Sequence, residues 1–329
     1  MISPLDWGLG HTTRCIPLIR FFLQHQFEVF VGAEGSASML ISQAFPDISI
    51  LPLKGYRIKY SKQKAFFLTK LLLQLPRIQS AINYENKWLN KVIDEHNIDL
   101  VISDNRLGLY TKKAQTVFIT HQLRIQSGIN WLDALIQKIN YHYINRFSEC
   151  WVPDIKGDGN LAGALSHPEK LPKIPVKYIG WLSRFIKKEQ PKKYKFVVVL
   201  SGPEPQRTIF EKKIIQQENE FDGITAIVRG LPQGNETLPF TNPLITCFNH
   251  LPADELSELM QQAELVISRS GYSTIMDLIT IQQKAVLVPT PGQTEQEYLA
   301  KYLAEKKLFN TVSQERFSIK AIAEGIKQK

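Results

Sequence analysis

The chain is poor in cysteine: Cys15, Cys150 and Cys247 are all it has in 329 residues. An odd, widely spaced set gives no disulfide framework, and its spacing suits no zinc site. Such usage points to a reducing compartment. No run of about eighteen uncharged apolar residues occurs, so the sequence predicts no membrane-spanning helix. The first residues carry neither the basic nor the apolar region of a secretory signal. The chain contains no Asp-x-Asp triplet, no short-period repeat and no low-complexity tract. Acid is the minority sign, with 31 Asp and Glu against 40 Lys and Arg, and a net charge of +9.

What is present is ordinary globular material, 43% hydrophobic and 22% charged, in a length that predicts two domains. The positive excess suits nucleic acid, an anionic membrane face or a phosphorylated substrate. Much of it is local. Between Lys54 and Lys91 stand nine Lys or Arg and one acid, Glu85.

Apolar strand-like runs alternate with helical patterns along the chain. The first set of strands is read at 27–32, 48–53, 99–104, 116–121, 149–153 and 176–180. The second is read at 195–202, 224–230, 244–248, 265–268 and 285–289. Helical stretches fall at 13–25, 85–96, 130–146, 206–219, 254–263, 272–280 and 295–305. Runs apolar on both faces, spaced by helices, predict parallel strands in doubly wound α/β sheets. The basic stretch SRFIKKEQPKKYK, containing Pro191, reads as a linker. The expected domains are 1–182 and 193–329, with 183–192 between them and a last helix near 316–329 free to pack on either. MISPLD supplies only a stub of a first strand, which predicts a weaker first sheet.

The segment DWGLGHTTR opens the first long helical pattern. In an open α/β sheet, ligands bind beyond the carboxyl ends of the strands. Gly8 and Gly10 permit positive φ and close approach, and a helix N-terminus offers free N–H groups. GLGH therefore reads as a ligand loop with His11 facing a cleft and Asp6 as a candidate to orient its ring. The spacing is not the dinucleotide fingerprint. The bland reading of His11 is a capping or packing residue.

In the second half, ISRSGYSTIMDL follows a strand. Ser268, Ser270 and Gly271 form a small-residue turn whose N–H groups and hydroxyls suit a diphosphate. Asp277, two helical turns on, is placed to accept from ribose hydroxyls. In VPTPGQTEQEYLAKYL, Gln296 and Glu297 open a helix with side chains fit for sugar hydroxyls. In SGPEPQR, Pro203 and Pro205 remove two N–H donors, and Arg207 is read as a direct phosphate ligand or else a solvated helix residue.

Together GLGH, SRSGYSTIMD and VPTPGQTEQEY resemble the GT-B glycosyltransferases, nearest to the MurG-type N-acetylglucosaminyltransferases that use nucleotide sugars. The resemblance runs over about 6–305, and 267–303 is its specific part. It implies a GT-B architecture of two Rossmann-like domains facing across a cleft, with acceptor on the first and nucleotide on the second. It places Ser270 and Gly271 at the diphosphate turn, Thr274 among the donor-binding residues, and Asp277 on ribose, where the branch usually has Glu. Gln296 falls on the donor sugar, and Glu297 stands where a second glutamine is usual. Phe248, Asn249 and His250 match a loop that reads the base, usually uracil. His121 and Gln122 resemble an acceptor-side segment, and His11 matches a histidine that acts as base or positions the acceptor. Ala300 departs from the family's usual asparagine, which leaves donor identity open.

The implied activity is inverting, metal-independent transfer of a hexose or N-acetylhexosamine from a UDP-sugar to a hydroxyl, with His11, or a carboxylate such as Asp104, taking the proton. Asp104-Asn105-Arg106 ends a strand and is read either as touching acceptor or as a polar loop. No cofactor is expected. GLGHTTRC also resembles a UDP-sugar hydrolase of the pseudaminic acid pathway, so a hydrolase or epimerase in the same cleft is the alternative. A non-catalytic basic binding module rests on charge alone, and nucleic acid is not expected as a partner.

The segment 53–82 mixes Phe66, Phe67, Leu71, Leu72, Leu73 and Leu75 with Lys59, Lys62, Lys64, Lys70 and Arg77. An apolar face ringed by cations suits an anionic membrane surface and a lipid-linked acceptor; a buried helix with a basic edge is the alternative. The expected place is cytoplasmic, peripheral on the inner membrane face. Trp88, Trp131, Trp151 and Trp181 are read as core rather than as sugar platforms.

Overall fold

A computed structural model describes residues 1–6, 9–56, 67–126, 130–232, 234, 238 and 240–327, with the side chains of 67–75, 130–131 and 326–327 outside that description. The chain divides into two compact units, Met1–Leu182 and Ser183–Lys329.

The first unit runs β1 (Ile2–Pro4), α1 (Leu9–Gln24), β2 (Phe30–Ala33), α2 (Gly35–Ala44), β3 (Ser49–Pro52), α3 (Phe67–His96), β4 (Leu100–Asp104), β5 (Gln115–Ile119), α4 (Asn130–Ile144), β6 (Glu149–Val152) and β7 (Val176–Tyr178). The strands form one sheet in the order β3-β2-β1-β4-β5-β6-β7, and every neighbouring pair is parallel. Successive residues of β4 serve opposite faces, as the strand period requires. Ile102 packs with Cys15, Leu18 and Ile19 of α1, whereas Val101 packs with Leu89, Val92 and Ile93 of α3. The stub at the N-terminus is short but central. β1 lies between β2 and β4, is buried throughout, and the terminal ammonium donates to Leu100 O at 2.7 Å.

The second unit repeats the plan with β8 (Tyr194–Val199), α5 (Gln206–Ile215), β9 (Thr225–Val228), β10 (Ile245–Phe248), α6 (Ala253–Gln261), β11 (Ala263–Ser268), α7 (Tyr272–Thr280), β12 (Ala285–Leu287), α8 (Thr294–Glu305), β13 (Asn310–Thr311) and α9 (Ile319–Lys327). Its sheet is β10-β9-β8-β11-β12-β13, again parallel at each pair. Phe196, Val198, Ile267 and Val286 pack under Phe210 and Ile214 of α5 and under Ile319 and Ala323 of α9. The last helix therefore belongs to the second unit.

The segment read as a linker, 183–192, is instead a strap on the second unit. Ser183 Oγ donates to Asp277 Oδ1 at 2.6 Å, Lys188 N to Gln261 Oε1 at 2.5 Å, and Lys192 Nζ to Gln261 O at 2.9 Å. Its polar composition serves these bonds rather than solvent. Both sheets are doubly wound, as the alternation of apolar runs and helices predicts. In each, the strand order reverses beside the first strand of the unit, between β1 and β4 and between β8 and β11. Such a reversal opens a crevice at the carboxyl ends of the strands.

Candidate functional site

The crevice of the first unit gathers side chains from three elements. His11 and Arg14 stand one helical turn apart near the start of α1, Asp104 ends β4, and His121 lies two residues past β5. His11 Nδ1 is 3.1 Å from Asp104 Oδ1. Arg14 Nε donates to Asp104 Oδ2 at 2.6 Å, and its NH2 group bonds Asp104 Oδ1. Arg14 also lies against both histidines, 2.8 Å from Nδ1 of His11 and 3.0 Å from Nδ1 of His121. Cys15 Sγ reaches Asp104 Oδ2 at 3.7 Å. The Asp104 side chain is fully buried and that of His11 is 16% exposed, so His11 is the member of the pair that a ligand reaches.

The electrostatics follow from this packing. Burial pushes the Asp104 carboxyl up, but the Arg14 guanidinium, with His11, outweighs it and holds Asp104 well below the usual carboxylate range. Burial, then the charge of Arg14, lowers His11; Asp104 opposes them, and His121 adds to the lowering. Burial, then the Asp104 charge, pushes the Cys15 thiol far up, so Cys15 is no nucleophile.

Three expectations are corrected here. Asp104 is not available as a proton acceptor, because both oxygens are taken by a buried guanidinium. Asp6 does not occupy the place beside His11; it accepts from Tyr56 N at 3.1 Å. Arg106 turns inward and pairs with Glu85 at 2.8 Å while donating to Pro4 O at 2.7 Å, so it braces the loop instead of touching acceptor. Gly8 lies outside the described residues. Gly10 is exposed within α1 and is not among the positive-φ glycines, so it does not supply the unusual turn expected of it. Asn105 has φ +58 and is partly exposed, as is Gln122, whose N–H donates to Thr120 Oγ1 at 3.0 Å.

In the second unit, β11 delivers Ser268, and Arg269, Ser270 and Gly271 carry the chain into α7. Ser270 is buried and its Oγ donates to Gln296 O at 2.8 Å. Gly271 caps α7 with φ −71, a value any residue adopts, and a Cβ built there meets nothing within 4 Å. The glycine thus keeps the space before the helix N-terminus clear. Thr274 is partly exposed on the first turn. Gln296 Oε1 accepts from Thr290 N at 3.0 Å, and Glu297 Oε1 accepts from Gly292 N at 2.9 Å, so both fold the Pro-Gly turn. Phe248 ends β10, Asn249 and His250 follow it, and all three are partly exposed; Asn249 Oδ1 accepts from Arg229 at 2.7 Å. Asp277 is buried against Ser183 and lies 3.7 Å from Arg184. Burial, resisted by Arg184, raises its carboxyl to about 6.

Arg207 is the clearest correction in this half. Its side chain is buried and engages Glu204 at 2.6 Å, Glu211 at 3.0 Å and Thr208 at 2.8 Å. It closes a Glu211–Arg229 network, so it is not a solvated helix residue, and its donors are turned to internal partners. Two arginines that sequence reasoning left without a role matter more. Arg14 was visible only as a residue one turn after His11. Arg269 is buried over the Phe210 ring; it donates to Val288 O at 3.2 Å, Gln206 O at 3.0 Å and Gln314 Oε1 at 2.6 Å. It therefore ties the loops after β8, β11, β12 and β13. Burial lowers it to about 10, which leaves it charged.

The lipid-facing expectation is only partly within the described residues. Lys59, Lys62, Lys64 and Phe66 lie outside them, and for 67–75 only the helical backbone of α3 is described. Among the described residues, no helix is long and apolar enough to cross a membrane, and no group of three His, Cys, Asp or Glu is placed to hold a metal ion. Trp88 and Trp151 pack on the cores; the Trp131 side chain is outside the description.

Comparison with known proteins bears on the fold. Residues 242–329 match the Glycosyltransferase family 28 C-terminal domain. One stretch is 37% identical over 75 residues to the UDP-N-acetylglucosamine–N-acetylmuramyl-(pentapeptide) pyrophosphoryl-undecaprenol N-acetylglucosamine transferase of Rickettsia felis. That stretch covers 22% of this chain and 21% of the relative. Among solved structures, the kitacinnamycin glycotransferase superposes with TM-score 0.68 at 12% identity, covering 99% of this chain and 89% of its own. A Streptomyces sp. SF2575 glycosyltransferase complexed with thymidine diphosphate gives 0.61 at 13%, covering 100% and 90%. The spinosyn rhamnosyltransferase complexed with thymidine diphosphate gives 0.58 at 12%, covering 100% and 91%. At such identity the likeness is one of fold: the chain has the two-domain GT-B fold of these glycosyltransferases.

Proposed function

We propose that the chain is an inverting glycosyltransferase that moves a hexose or N-acetylhexosamine from a UDP-sugar to a hydroxyl acceptor carried on a lipid. The observation that carries the reading is the family 28 match over 242–329, within which Ser270 and Gly271 open α7 with clear space before its N-terminus. Uridine is preferred because the Rickettsia relative is named for a UDP-sugar. The lipid carrier and the inner membrane face rest on that relative's undecaprenol substrate and on the basic, apolar composition of 53–82.

In this reading the diphosphate sits on the N–H groups of α7, where the helix dipole favours the charge that develops on the leaving group. His11, reachable on its exposed side, takes the acceptor proton as the acceptor oxygen bonds to the anomeric carbon. The sugar–phosphate C–O bond breaks, UDP leaves with its electrons, and single displacement inverts the centre. The reading is metal-independent, because the chain offers no Asp-x-Asp triplet and the helix terminus supplies the positive potential. A hydrolase is the second reading. It is favoured by the convergence of His11, Arg14 and Cys15 on Asp104, since GLGHTTRC is the segment that resembles a hydrolase. There water replaces the acceptor.

Calorimetry with UDP, thymidine diphosphate, GDP, CMP and ADP tests the donor site. Gly271→Trp is the blocking variant, because a side chain there enters open space whereas one at buried Ser270 would break the fold. UDP binding lost in a folded Gly271→Trp supports the reading, and preference for thymidine diphosphate corrects the base. No binding by folded wild type removes it. Sugar release without acceptor selects the hydrolase.

A further inference from the structure

The function above leaves Arg14 unexplained, yet it is the most heavily engaged side chain of the first crevice. It holds both oxygens of Asp104 and touches Nδ1 of both histidines. A structural cation needs one carboxylate; this one is placed between a carboxylate and two imidazoles.

We infer that Arg14 is a positioning residue that sets the protonation of His11: by taking Asp104 for itself, it keeps His11 uncharged at neutral pH. This deepens the proposed function, since only an uncharged ring takes a proton from an acceptor or from water.

His11 Nδ1 faces Asp104 Oδ1 at 3.1 Å and the Arg14 guanidinium at 2.8 Å. One nitrogen serves one of them: it donates to the carboxylate when it carries a proton, or accepts from the guanidinium when it does not. In either neutral tautomer one contact is satisfied and no like charges meet. An imidazolium, in contrast, sets a positive ring 2.8 Å from a positive guanidinium. The carboxylate that would otherwise reward the imidazolium is already neutralised by a buried ion pair. The other groups facing His11 are His121, which Arg14 also contacts at Nδ1, and Cys15, whose thiol is held protonated by burial and by Asp104. Neither supplies a negative charge. Burial of the ring works in the same direction.

The test is a histidine titration by long-range ¹H–¹⁵N NMR on the full chain, with the His11 ring resonance identified by its loss in His11→Gln. It needs no nucleotide, sugar or acceptor, so it stands or falls apart from the transferase reading. In wild type, His11 is expected to titrate below its ordinary 6.5. In Arg14→Gln the Asp104 carboxylate is freed for the ring, and the midpoint is expected to rise by about 1 to 3 on the pH scale, the usual effect of an adjacent opposite charge. Arg14→Lys, which restores the positive charge, is expected to bring it back below the Arg14→Gln value. A wild-type midpoint at or above 6.5 overturns the inference whether or not any variant folds. So does an unchanged midpoint in folded Arg14→Gln, or a midpoint in Arg14→Lys as high as in Arg14→Gln.

Discussion

Ser270 Oγ donates to the backbone carbonyl of Gln296 at 2.8 Å, joining the start of α7 to the first turn of α8. Both residues were expected to meet the donor directly. The hydroxyl holds one of these two segments against the other, and Gln296 holds the Pro-Gly turn through Thr290 N. Ser270→Ala removes one buried neutral hydrogen bond and leaves a carbonyl without its partner, at a cost of about 1–3 kcal/mol. Thermal unfolding is expected to show this loss. UDP affinity is expected to fall by less than about tenfold, ~1.4 kcal/mol, because the helix N–H groups remain. Loss of all binding in a folded Ser270→Ala would show that the hydroxyl itself is the ligand.

Asp104 contributes to stability in a pH window fixed by its environment. Its carboxyl is held below its ordinary 3.8 when folded, so its contribution is present above about pH 4 and is lost as pH falls through the folded value. Asp104→Asn leaves Arg14 buried without a charge partner, which costs about 3–5 kcal/mol for pairs of this kind. Urea unfolding at about pH 7 is expected to show that difference, and the gap between wild type and variant is expected to narrow below about pH 4. A gap that stays constant with pH would assign the loss to packing rather than to charge.

How much of this was legible beforehand depends on how local the cause is. Apolar runs such as FVVVL and LVIS, buried on both faces, announce parallel strands without help from the rest of the chain. Gly35–Ala44 did not announce α2, because its small residues give a weak apolar stripe, and the two residues of β13 are too few to show a period. His11 was legible as a histidine at the mouth of a helix. Its partnership with Asp104 was not, because 93 positions separate them and only the β1–β4 pairing brings them together. Arg207 was misread although its partners were local: Glu211 stands four positions on along α5, the spacing at which helical side chains meet, and Glu204 lies three positions back, just before the helix.

Asp277 is expected to make stability depend on pH in the opposite sense from Asp104. Its carboxyl is raised from 3.8 to about 6 by burial, against the pull of Arg184 and Ser183. A raised folded value favours the protonated form, so the contribution is complete below about pH 4 and is lost as pH rises through about 6. The size is on the order of 2–3 kcal/mol, the free energy that separates a carboxyl titrating near 6 from one titrating at 3.8. Asp277→Asn keeps an oxygen for Ser183 Oγ and removes the titration. The variant is expected to gain on wild type between about pH 4 and about pH 7 in chemical unfolding, and a difference that does not move with pH would refute the assignment.

Arg207 separates a phosphate ligand from a structural cation. Its guanidinium is spent on Glu204, Glu211 and Thr208, and Glu211 keeps a second partner in Arg229 at 2.7 Å. Arg207→Met fills most of the volume and removes the charge. Because Arg229 still pairs Glu211, the expected loss is about 2–3 kcal/mol, below the range for a buried charge left with no partner at all. Nucleotide affinity is expected to change by less than about threefold, ~0.7 kcal/mol, since the guanidinium is buried and most of its donors are already engaged. The two readouts come from one preparation, a thermal melt and a UDP titration. Stability unchanged with UDP binding abolished would reverse the assignment and return Arg207 to the donor site.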